Sequence, residues 1–180
     1  VRNKDISSLQ GISSFENLIT LRAGGNNITT LDVSALNKLN NLELQGSSEL
    51  NSITLPNSDN LDTVDINATK ITSIDVSGLP NLKLLDINAN PITELDISNN
   101  PNIEQLYIER TKIKHIDVTL IQDKLSDFSF YVDFDKINDS DESNRSYLEC
   151  VRVTKTFSMG SSYPTEWTNL AGSFSQLQRR

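Results

Sequence analysis

Residues Leu82–Asn102 read LKLLDINANPITELDISNNPN, and this stretch is one unit of a repeat. The next unit begins at Ile103 as IEQLYIERTKIKHIDV, and the one before begins at Leu61 as LDTVDINATKITSIDVSGLPN. A period of about 21 residues, recurring along the chain, is the sequence sign of a solenoid in which each coil stacks on its neighbours.

The units align position by position. The first apolar column is Leu18, Leu39, Leu61, Leu82 and Ile103. Leu21, Leu42, Val64, Leu85 and Leu106 follow, then Ala23, Leu44, Ile66, Ile87 and Ile108. A small polar column comes next: Asn26, Ser47, Thr69, Asn90 and Thr111. Three more apolar columns complete the unit, beginning at Ile28, Leu31 and Val33. One extra residue sits near Ser48–Leu50 in the second unit. Leu85-x-Ile87 and its equivalents alternate as a half-buried strand does, so equivalent residues should stack about 4.8 Å apart. The polar column falls where the chain leaves that strand, and its side chains should bond backbone groups left open by the turn. An Asn amide can do so more fully than a hydroxyl, so Ser47, Thr69 and Thr111 should hold their turns less firmly. Segments 71–76 and 92–97, rich in Ile, Thr and Val, favour extended structure, which predicts short strands on two faces and few helices.

The pattern L-x-x-L-x-L-x-x-N-x-I-x-x-L is that of a leucine-rich repeat. Its ending recurs as LDVSALNK from Leu31, IDVSGLPN from Ile74, LDISNNPN from Leu95 and, shortened, IDVTLIQD from Ile116. From Ile6 to Asp123 the chain resembles the 21-residue leucine-rich repeats of bacterial surface proteins of the internalin and BspA kind. Some relatives of that type carry a cysteine ladder after the strand; this chain does not. The resemblance implies a repeat solenoid, mainly β, working as a cell-surface adhesin and located at the bacterial exterior.

Composition narrows the classes further. Of 180 residues, 36% are hydrophobic, a low value that suits a thin solenoid with much surface per residue. Asp plus Glu number 24 against 16 Lys plus Arg, a net charge of −8, which repels a nucleic-acid backbone and favours basic or neutral partners. No apolar run is long enough to span a membrane, and Val1–Asp5 is not a signal peptide. The single cysteine, Cys150, excludes an internal disulfide framework. Animal extracellular leucine-rich repeats usually carry disulfide-bonded caps, so their lack points to a bacterium or to an intracellular setting.

Two domains are expected: a leucine-rich repeat solenoid over 1–124, and a small α+β cap over 125–180. Ile6, Leu9, Ile12 and Phe15 read as the latter half of a coil, which implies further sequence upstream. After Val118 the pattern fails, and residues 119–127 read as a partial coil or a helical turn. Only Phe15 and Tyr107 are aromatic before residue 128, whereas nine aromatics follow. FSFYVDFD from Phe128 and SYLECVRVTKTF from Ser146 read as a β-hairpin, and Trp167, Leu170, Phe174 and Leu177 fall at helical spacing after Pro164. Such an aromatic-rich module would plug the open end of the coil.

The candidate site is the concave face. Between the inward residues of each strand lie Arg22, Glu43, Asp65, Asp86 and Tyr107; two residues later come Gly24, Gln45, Asn67, Asn88 and Glu109. Glu43, Asp65, Asp86, Tyr107, Glu109, Asn67 and Asn88 form an acidic, amide-rich stripe ending at an aromatic, of the kind repeat proteins use for binding. A second column, Asp32, Asp75, Asp96 and Asp117, is read as structural, each carboxylate accepting N–H bonds of the turn behind it. One carboxylate per coil supplies too few oxygens for calcium. The loop Asp139–Glu142 lacks the spacing of a calcium loop and reads as a solvated turn. Tyr163 and Trp167 could stack on a sugar, but packing inside the cap is favoured. His115, the only histidine, reads as a surface residue, and no nucleophile, metal or phosphate-loop spacing is present. A non-catalytic module is expected, without cofactor or metal, binding a protein or glycan as a monomer. The alternatives are a structural spacer in a larger surface protein and an intracellular regulatory repeat domain.

Overall fold

Leu21, Leu42, Val64, Leu85 and Leu106 are consecutive partners in one parallel sheet, so the repeat seen in the sequence is a physical stack. The computed structural model describes residues 1–121 and the strand 150–152. The sheet is built from β1 (Thr20–Arg22), β3 (Asn41–Glu43), β5 (Thr63–Asp65), β6 (Leu84–Asp86) and β7 (Gln105–Tyr107), adjacent in that order. Each strand has three residues and keeps exact register with the next coil, so like positions sit about 4.8 Å apart. The fold is a parallel β-solenoid carrying leucine-rich repeats. Among the described residues the helical content is one 3-10 turn, Ile12–Ser14, and no helix is long and apolar enough to cross a membrane.

The apolar columns make the core. Leu39, Leu61, Leu82 and Ile103 are fully buried, as are Leu42, Val64 and Leu85, and Ile28, Leu50, Ile71, Ile92 and Ile113. Removing each such side chain from water contributes roughly 1.5–3 kcal/mol, which is how strands of three residues are held without a thick globule around them. Leu36, Leu79 and Ile121 form a further buried column that the repeat reading above omits. The coil therefore continues past Val118 to Ile121, in line with the partial-coil alternative: Ile121 closes the same turn as Leu79, its N–H donating to Val118 O as that of Leu79 donates to Val76 O.

The second face is less regular. There β2 (Thr30–Asp32) pairs in parallel with β4 (Ser52–Thr54). Residues 71–76 and 92–97 form no ladder, so the β-forming composition of those segments does not by itself make strands. Finally β8 (His115–Asp117) pairs in parallel with β9 (Cys150–Arg152). The strand expected in SYLECVRVTKTF is thus present, with β8 as its neighbour; its proposed hairpin partner and the terminal helix lie outside the described residues.

Polar side chains close the turns. Asp32, Asp75, Asp96 and Asp117 accept the N–H of the residue two further on, Ser34, Ser77, Ser98 and Thr119, at 2.9, 2.9, 2.8 and 3.0 Å. Hydrogen bonds from the Ser34 and Ser77 hydroxyls and N–H groups hold Asp32 and Asp75 below the ordinary carboxylate value; for Asp96 the N–H of Ser98 leads. The structural reading of this column holds.

The Asn, Ser and Thr column is buried and joins one coil to the next. Asn90 donates to Ile66 O at 2.8 Å and Ile87 O at 3.1 Å, while its Oδ1 accepts from Ile71 N and the Thr69 hydroxyl. Asn26 accepts from Lys4 N and Ile6 N and donates to Val1 O and Ala23 O. Among the described residues Thr111 makes one bond of this kind, to Ile108 O at 2.8 Å. The difference between amide and hydroxyl is therefore visible bond by bond. The residue just before this column is left-handed in every coil: Gly25 at φ 66, Gly46 at 71, Ala68 and Ala89 at 52, and Arg110 at 56.

Residues 1–6 lie on the first full coil in the same manner. Val1 N donates to Arg22 O at 2.9 Å, Asn3 N to Gly24 O, and Asn27 N to Ile6 O. Ile6, Leu9, Ile12 and Leu18 pack partly against the core, whereas Phe15 and Ile19 stay exposed.

Candidate functional site

Because strands alternate their side chains, burying Leu42, Val64, Leu85 and Leu106 turns the flanking residues outward on the opposite face. Arg22, Glu43, Asp65, Asp86 and Tyr107 are consecutive register partners and form one row across the sheet. Thr20, Asn41, Thr63, Leu84 and Gln105 form the row before it, which the sequence reading did not single out although it lines the same face.

All seven stripe residues expected from the sequence lie on this face, but Glu43, Asp65, Asp86, Tyr107, Glu109, Asn67 and Asn88 are half-buried, not freely exposed. Glu43, Asp65 and Asp86 have a strand neighbour on each side, and Tyr107 lies on the last strand of the sheet beside Asp86.

The row has a charge profile. At one end Arg22 Nε donates to Glu43 Oε1 at 3.0 Å, and the Arg2 guanidinium contacts Glu43 Oε2. Burial by itself would raise the Glu43 carboxyl; the pairing with Arg22, the bond from Asn41 and the charge of Arg2 outweigh it and keep it below its ordinary value. Arg2 belongs to the preceding coil, so no motif pointed to it.

The middle is different. Asp65 and Asp86 face each other across the β5–β6 pair, and among the described residues no ion pair reaches either. Burial raises both carboxyls above the ordinary value, and for Asp65 the charges of Asp86 and Glu43 push the same way. Their hydrogen bonds come from amides. Asn67 N donates to Asp65 at 3.2 Å, and Asn88 N to Asp86 at 3.0 Å. Asn88 Oδ1 in turn accepts from Glu109 N at 2.6 Å, carrying the chain of bonds into the next coil.

The Asn67 and Asn88 side chains are thus partly committed to the fold, and each couples two coils. At the head of their row Gly24 is fixed by its neighbour: a Cβ there would lie 2.6 Å from Gln45 O and 2.8 Å from Gln45 Oε1. The stripe ends at Tyr107 and Glu109, with Arg110 Nε 3.9 Å from Glu109 Oε1.

Chemically, the face offers fixed carboxylates, amides and one phenol. No group of three or more His, Cys, Asp or Glu close enough to hold a metal occurs among the described residues. His115 is exposed on β8, away from this sheet. The acidic loop 139–142 and the aromatics Tyr163 and Trp167 lie outside the described residues.

No family model matches the sequence, and no curated protein matches it. Among solved structures, one similar to this chain is the functional domain of InlJ from Listeria monocytogenes, which includes a cysteine ladder. The two share 24% identity with a TM-score of 0.35, over 67% of this chain and 36% of that one. This chain thus spans about a third of that structure's length. The fold assignment rests on the register and burial described above.

Proposed function

We propose that this domain is a non-catalytic binding module that recognises a protein or glycan partner through the face of its five-stranded sheet. The observation that supports the reading is the Asp65–Asp86 pair. Two half-buried carboxylates lie side by side as register partners of one stack, with amides beside them and no cation paired to either among the described residues. Water is a costly partner to lose at such a place, and a bound basic or hydroxyl-rich group would restore what burial withholds. The rigidity of the stack lowers the ordering entropy of binding. Glu43, already matched by Arg22 and Arg2, sets the border of the patch; Tyr107 and Glu109 set the other. The resemblance to bacterial surface repeats extends this reading to an extracellular adhesin that acts as a monomer.

The test is a glycan array and a pull-down with the wild-type chain and with Asp65→Lys/Asp86→Lys. A partner held by the wild type and lost by the charge-reversed form supports the reading. Binding that is unchanged by the reversal defeats this site, and a wild-type chain that captures nothing leaves the domain as a spacer.

A further inference from the structure

We draw no further inference here: the strongest candidate, the apolar groove that Leu9, Ile12, Phe15 and Leu18 line along the outer edge of β1, carries nothing because nothing in the structure shows what covers it.

Discussion

The side-chain amide of Asn67 reaches across the coil boundary to Asp86 Oδ2 at 3.2 Å while its second N–H holds Asp65 Oδ1 at 2.8 Å. One neutral group therefore separates two carboxylates that the register of β5 and β6 forces together. The arrangement stabilises the charges only in part, since burial still leaves both carboxyls raised.

A raised acid binds its proton more tightly in the folded chain than in the unfolded one. Its contribution to stability is complete below the unfolded value near 3.8 and is lost as pH rises through the folded value. Asp65→Asn/Asp86→Asn removes that loss. Urea midpoints should show the double variant gaining on the wild type as pH is raised from the ordinary Asp range to neutral. A difference that stays constant with pH would mean the pair is not desolvated as described. Asp32, Asp75 and Asp96 are held low, so their contribution runs the other way: present above the ordinary value, lost in acid.

Asn90 and Thr111 occupy the same place in their coils with unequal numbers of bonds. Asn90→Ala leaves the buried Ile71 N–H without its acceptor and removes the link to Ile66 O, a cost of about 3 kcal/mol; Thr111→Ala, which removes one hydroxyl bond, should cost about 1 kcal/mol. Chemical denaturation of both variants checks the ranking, and equal losses would contradict it.

Ala68 and Ala89 sit in the left-handed conformation that Gly25 and Gly46 adopt in the two preceding coils. A Cβ in that region costs about 1–2 kcal/mol, against which glycine gives back part through its freer unfolded chain. Ala68→Gly and Ala89→Gly should each raise stability by about 0.5–1 kcal/mol. Gly46→Ala should lower it by about 1 kcal/mol although the space beside Gly46 is open, because the strain lies in the backbone. Thermal midpoints moving the other way would remove this account.

Asn100 is fully buried in the column that also holds Leu36, Ser58, Leu79 and Ile121. Its amide donates to Val76 O and Leu79 O, both at 2.8 Å, and its Oδ1 has no partner among the described residues. Those two carbonyls also accept from Leu79 N and Leu82 N, so they stay satisfied if the amide is lost. Asn100→Leu should therefore be neutral or stabilising by about 1 kcal/mol, since it removes an orphaned acceptor from the core. A loss above that size in urea unfolding would show that the amide secures the coil boundary.

The columns were legible because burial at a fixed period leaves a direct trace in residue type, as Leu42, Val64 and Leu85 show. The Asp turns were legible for a similar reason: Asp-x-Ser is a local bond that needs no distant partner. Asn100 was not, because an asparagine inside NNPN looks like loop chemistry and only the stack reveals that it replaces a leucine. The half-burial of Asp65 and Asp86 depends on what the next coil lays beside them, and the Glu43–Arg2 contact on a residue 41 positions away. The left-handed alanines gave no sign, since alanine has no preference for that region. The segments 71–76 and 92–97 show the reverse failure, β-favouring residues that form no ladder.

The order of the sheet, β1-β3-β5-β6-β7, follows the chain, each strand reached from the last by one full turn of the coil, so in this sheet each coil is tied to the ones directly before and after it. Tension on the two ends of such a spring is borne in series. The outermost coils would peel away singly, paying out chain in regular increments while Asp65 and Asp86, deep in the stack, keep their spacing until the load reaches them.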